Sequence, residues 1–343
     1  MDEIDPAGRP HSRAGRVRPR WPRLISGVVL AIALVGCGAA QTPAPSPEST
    51  TLSATTTPSA TTTPVVTPDR TETPSDAGKI VTVDVEGRPF ALYVPEGYRP
   101  ATPTALIVAL HGYTGRASDV MDYFGLRAQA AKRNILVATP EGTTDSEGNT
   151  FWNASKACCN LLGSTVDDSA YLSSVITTVL ASYAVDPDRV YVVGHSNGGF
   201  MAHRMACEHA DQVAAVASLA GALDSSNDCD PAEAVSVLQI HGDADQIIPF
   251  TGGAILGNVF TSAAQTVAFW QDANGCSAHT TTGTRFDADQ NVVGDDVTPI
   301  EWTGCRDETG VALWRITGGS HVPALTGDFA GALVDWLEAH RRV

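Results

Sequence analysis

Gly194-His195-Ser196-Asn197-Gly198 sets a serine between two glycines in the pattern Gly-x-Ser-x-Gly. A nucleophilic hydroxyl needs that arrangement, because its Oγ must project from a sharp turn that neighbouring side chains would obstruct. The apolar run 190–193 leads into the motif, and the helix-like stretch 200–207 follows it. Strand, turn and helix thus come in the order a nucleophile elbow requires.

A serine hydroxyl becomes reactive when an imidazole takes its proton and a carboxylate steadies that imidazole. Gly318-Gly319-Ser320-His321 follows the apolar run 311–316 and offers His321 as the base. His241-Gly242-Asp243-Ala244-Asp245 follows the run 235–240 and offers two carboxylates, between which spacing does not choose. The oxyanion formed on attack needs two backbone N–H groups. One is expected from Asn197, and the other from Tyr113 or Thr114 in Leu110-His111-Gly112-Tyr113-Thr114-Gly115, the loop after the run 105–110. His111 reads as a brace for that loop. His195 and His241 read as packing or hydrogen-bonding residues, with His195 also a candidate substrate contact beside Trp152 and Phe250. Phe151, Trp152 and Phe250 could stack an aromatic acyl group or belong to the core. A metal on His241, Asp243 and Asp245 lacks a further cluster of ligands, so no metal and no cofactor is expected.

These residues need a frame. Val81, Val83 and Val85 alternate with polar residues, Glu86-Gly87 offers a turn, and 90–94 returns, which predicts a β-hairpin. Apolar runs of buried-strand length then recur at 105–110, 135–139, 190–193, 213–219, 235–240 and 311–316. Helical periodicity lies between most of them, as in Tyr171, Leu172, Val175, Val179 and Leu180, and it closes the chain in Phe329, Leu333, Trp336 and Leu337. The prediction is an α/β fold of the α/β-hydrolase type. It has a mostly parallel central sheet, helices on both faces and an antiparallel N-terminal hairpin.

The chain opens differently. Residues 1–36 hold six of the 22 basic side chains and three of the 38 acidic ones, and an apolar stretch 24–35 ends in Leu34-Val35-Gly36-Cys37. Basic flank, short apolar run and small residues are the anatomy of a secretory signal; at about half the length of a span, the stretch makes a membrane-spanning helix the weaker reading. The tetrapeptide resembles a bacterial lipobox, which would make Cys37 a lipid anchor; a soluble product cut near Ala39 or Ala40 is the alternative. Residues 38–77 are dominated by Thr, Pro, Ser and Ala and read as a disordered tether. The expected organisation is a signal over 1–37, a linker over 38–77 and one domain over 78–343, on the outer face of the cell membrane. Beyond residue 36 the chain holds 16 basic and 35 acidic side chains, which disfavours a nucleic-acid partner. A monomer touching the membrane only through its anchor is expected. Setting Cys37 aside leaves six cysteines, an even number suited to disulfides outside the cell.

Phe151-Trp152-Asn153-Ala154, Cys158-Cys159-Asn160, Val166-Asp167-Asp168 and Tyr171-Leu172 come in an order that resembles secreted feruloyl esterases and the related poly(3-hydroxybutyrate) depolymerases of carbohydrate esterase family one. The elbow, His241 to Asp245 with Pro249, and Gly318 to His321 match as well, so the resemblance spans about 79–340. It implies Ser196 as nucleophile, Asp245 as acid and His321 as base, with Asn153 and Asp168 supporting the site from below. Two departures, Ser320 in place of a glycine and His321-Val322-Pro323 without a following aromatic residue, point to a differently shaped leaving-group pocket. The implied activity is hydrolysis of feruloyl, xylan-linked or hydroxyalkanoate esters through an acyl-enzyme. Acyl transfer to cell-wall sugars and an inactive glycan-binding lipoprotein are the alternatives. Cys276 and Cys305 bracket a polar insertion before the His321 strand and are expected to pair. Cys158 and Cys159 would then pair with Cys207 and Cys229.

Overall fold

The structure is a computed structural model in which residues 76–226 and 228–343 are described. The expected signal, Cys37 and all but the last two residues of the expected linker lie outside the described residues.

The predicted hairpin is β1 (Lys79–Val85) and β2 (Arg88–Val94), paired from Lys79↔Val94 to Val85↔Arg88. Glu86 and Gly87 make the turn at φ 54° and 80°, a left-handed pair whose twist matches that of the flanking strands. β3 (Thr104–Leu110), β4 (Leu136–Thr139), β7 (Val185–His195), β8 (Ala215–Leu219), β9 (Ser236–Gly242) and β14 (Val311–Ile316) are the apolar runs of the sequence. They pair parallel in the order β4-β3-β7-β8-β9-β14, flanked by β2 and β1 on one side. This is the α/β-hydrolase arrangement.

Both faces of these strands are covered, and the two-residue period of a strand sorts the side chains between them. Leu106, Val108 and Leu110 of β3 face α3 (Asp168–Ser182), α4 (Asn197–Glu208) and α5 (Ala263–Ala273). Ala105, Ile107 and Ala109 join the core beneath α1 (Ala117–Tyr123), α2 (Leu126–Arg133) and α6 (Gly327–Ala339). Among the described residues no helix is long and apolar enough to cross a membrane.

The polar insertion continues the sheet: β13 (Val297–Trp302) pairs antiparallel with β14, and β12 (Thr280–Thr282) forms the edge. Pro299 within β13 and its half-exposed residues hid that strand from a periodicity argument. Short hairpins β5–β6 (Thr143–Thr144, Thr150–Phe151) and β10–β11 (Gly253–Ile255, Asn258–Phe260) decorate the loops.

Cys276 is linked to Cys305 and Cys207 to Cys229, whereas Cys158 is linked to its neighbour Cys159. The expected exchange between the 158–159 pair and Cys207 and Cys229 is thereby corrected. The end of α4 and the loop after β8 already satisfy each other across 22 residues of chain.

Candidate active site

β7 delivers Ser196 and α4 begins one residue later, with Ser196 itself at φ 54° and ψ −119°. The bend is crowded. A side chain at Gly194 would run into the Gly198 carbonyl, and one at Gly198 into the carbonyl of Leu110, so the flanking glycines let backbone meet backbone.

Three segments far apart in sequence meet here. Ser196 Oγ lies 2.9 Å from His321 Nε2, and His321 Nδ1 lies 2.7 Å from Asp245 Oδ2. With Nδ1–H donating to the carboxylate, Nε2 is left to accept the serine proton. Asp245 is 5% exposed. Burial pushes its carboxyl up, but hydrogen bonds from His241, from His321 and from the Ile248 amide outweigh that and hold it well below the usual carboxylate range. The Ile247 and Ile248 amides donate to Oδ1 at 2.8 and 2.9 Å. Asp243 is engaged elsewhere, bonded to Arg315 at 2.6 Å and accepting the Gly318 amide at 2.7 Å.

The Asn197 amide is the first of α4, where no helical carbonyl can reach it. The Gly112 loop lies against Ser196, for a Cβ on Gly112 would stand 3.3 Å from that of Ser196. The two loop candidates for the second donor then part. The Thr114 amide is taken by the Thr150 carbonyl at 2.8 Å, which removes it as an oxyanion donor. Tyr113 remains. His111 braces this loop, its Nδ1 2.7 Å from the Gly112 carbonyl and its Nε2 accepting the Gly142 amide at 3.0 Å.

Trp152 is fully buried and donates its indole N–H to the His111 carbonyl at 3.0 Å, so its expected part in stacking substrate is corrected. Its backbone is bracketed by Asn197, whose Oδ1 accepts the Trp152 amide at 2.6 Å and whose Nδ2 donates to the Trp152 carbonyl at 2.9 Å. The motif's asparagine thus ties the elbow to the 152–160 segment through its side chain, a role no spacing rule announced. Asn153 continues that segment and donates its amide to Asp168 at 2.8 Å, and Asp168 pairs with Arg88 at 2.9 Å. Burial raises the Asp168 carboxyl against those two partners.

His195 turns to the protein. Its Nε2 lies 2.9 Å from the His321 carbonyl, and its ring packs 5.1 Å from those of His321 and Tyr123. Burial lowers it to about 4, so it is neutral at neutral pH. Phe250 is half-buried, edge-on to His241 at 5.7 Å and beneath Arg315 at 5.4 Å.

Residues 86–296 match the model of a protein family described as "Putative esterase"; the match includes Ser196 and Asp245 and stops short of His321. The chain is 34% identical over 236 residues to "Putative esterase NocK" of Nocardia uniformis subsp. tsuyamanensis, covering 66% of this chain and 65% of that one. It is 31% identical over 200 residues to feruloyl esterase C of Emericella nidulans, covering 56% and 68%. It therefore spans about two thirds of the length of these relatives. An acetyl xylan esterase from Aspergillus awamori superposes over 76% of this chain and 99% of its own, with a TM-score of 0.52 and 18% identity, a likeness of fold.

Proposed function

The chain belongs to this esterase family, and from that premise we propose that it hydrolyses carboxylic esters with Ser196 as nucleophile, His321 as base and Asp245 as acid. The observation that supports this most is the unbroken relay of 2.9 and 2.7 Å from hydroxyl to imidazole to carboxylate. In the proposed cycle His321 Nε2 accepts the Ser196 proton as Oγ attacks the ester carbonyl. The oxyanion is met by the amides of Asn197 and Tyr113. The imidazolium, offset by Asp245, returns the proton to the departing alcohol. Water deprotonated by His321 then clears the acyl-enzyme and restores the serine. No group beyond these side chains and water is called for.

For substrate we infer a feruloyl or related plant cell-wall ester, because a named relative is a feruloyl esterase. The sequence supports export and a tether through Cys37. Methyl ferulate, acetylated xylan and hydroxybutyrate oligomers compared in one assay test the substrate, and a preference for the oligomers would overturn that choice. Ser196→Ala should lower turnover of p-nitrophenyl acetate by about 10⁴–10⁶ with folding intact. Wild-type-like hydrolysis by that variant would end the nucleophile assignment.

A further inference from the structure

Behind Asp245 runs a line of buried polar side chains that acyl transfer does not use. Trp270 Nε1 lies 3.1 Å from His203 Nδ1, and His203 Nε2 lies 2.9 Å from Gln239 Oε1. Gln239 Nε2 lies 3.2 Å from His241 Nδ1 and 2.9 Å from the Gly221 carbonyl. His241 Nε2 reaches the Ile248 carbonyl at 2.7 Å and stands 3.4 Å from Asp245 Oδ2. Trp270, His203, Gln239 and His241 are each at most 1% exposed.

We propose that these four residues form a hydrogen-bond chain with one fixed direction, and that its task is to position Asp245 behind His321. The proposal rests on the triad reading above.

The direction follows from the chemistry of the first link. An indole N–H can only donate, so His203 Nδ1 must accept and the ring's single proton sits on Nε2. Burial lowers His203 to about 4, which keeps the ring neutral with one proton to place. That proton goes to Gln239 Oε1, which orients the carboxamide and turns its NH₂ toward His241. His241 Nδ1 therefore accepts, and its own proton sits on Nε2, facing the Ile248 carbonyl and the Asp245 carboxylate. The grip closes on itself, because the amide of that same Ile248 donates to Asp245 Oδ1 at 2.9 Å.

The opposite direction would be costly at both ends. Two N–H groups would confront each other at Trp270, and a bare His241 nitrogen would face a carbonyl and a carboxylate, both deep in the interior. One tryptophan thus determines that a proton, rather than a lone pair, is presented to the acid. The four are positioning residues, since none lies within hydrogen-bond reach of Ser196 Oγ.

The test uses Trp270→Phe, His203→Leu and His203→Gln in the whole chain. Trp270→Phe keeps an aromatic ring in part of the same space and removes the directing donor. His203→Gln keeps an N–H toward Gln239. Nitrogen-15 NMR of the His241 imidazole should show the proton on Nε2 in the wild type and mixed tautomers in Trp270→Phe and His203→Leu. Turnover of p-nitrophenyl acetate should fall about tenfold in those two with KM within about twofold, and His203→Gln should restore it to within about threefold. A His241 proton on Nδ1 in the wild type would overturn the proposal, as would a tautomer and turnover untouched by Trp270→Phe. A wild type inert toward a fluorophosphonate would instead sink the triad reading, while the His241 tautomer would still decide the direction of the chain.

Discussion

His195 places its Nε2 2.9 Å from the carbonyl oxygen of His321. The residue before Ser196 thereby holds the backbone of His321, across 126 positions of chain. Since the two imidazoles also pack ring to ring at 5.1 Å, Ser196 and His321 are joined at this corner of the sheet by more than their own hydrogen bond.

His195→Phe should keep the ring contact and lose the hydrogen bond. The expected result is a turnover about tenfold lower with KM little changed, because the base is displaced while the substrate's surroundings persist. Steady-state kinetics with p-nitrophenyl acetate measure it, and an unchanged turnover would remove His195 from the machinery.

Asp245→Asn and Asp243→Asn should behave unlike each other. The first offers His321 Nδ1 an amide that can present the wrong partner, and turnover should fall by about 10³–10⁴. The second loses only an ion pair with a half-exposed Arg315 and one loop contact, and should stay within about tenfold of wild type. Equal losses would mean that the acid loop can exchange its two carboxylates.

Stability should fall on mild acidification. His203 drops from 6.5 to about 4 because burial disfavours its charged form. Between those values the unfolded chain binds a proton that the folded one refuses. The stabilisation is therefore complete above the unfolded value and is lost as the pH falls toward 4. It amounts to up to about 3 kcal/mol for this group. His195 acts in the same sense. Urea melts from about pH 7.5 down to about pH 4.5 should show the decline, and His203→Gln should make it shallower, leaving the part due to His195. A midpoint that holds level in the wild type would contradict the argument.

Much of this architecture is legible in the sequence because it is local. The runs that become β3, β7, β9 and β14 announce themselves by uninterrupted apolar residues, and the glycines around Ser196 mark a bend before any coordinate is known. Spacing could not choose between Asp243 and Asp245, since two residues in one loop separate only by where their carboxylates turn. The type of Trp152 suits a ligand platform, but its indole packs in the core and donates to the His111 carbonyl, 41 residues away. The chain from Trp270 to His241 leaves no pattern at all, as its first link bridges 67 residues. The link between Cys158 and Cys159 is hidden for a related reason, since a count of cysteines carries parity and nothing about partners.

The bend at Ser196 has one more consequence. A residue bearing a Cβ resists φ 54° with ψ −119° by about 1–3 kcal/mol, and glycine does not. Ser196→Gly should accordingly melt at a higher temperature than the active chain, whereas Ser196→Ala should not, and calorimetry on the two would tell. Heat resistance and reactivity pull on this one residue in opposite directions. A lineage selected for endurance alone would find one ready gain in giving up its chemistry.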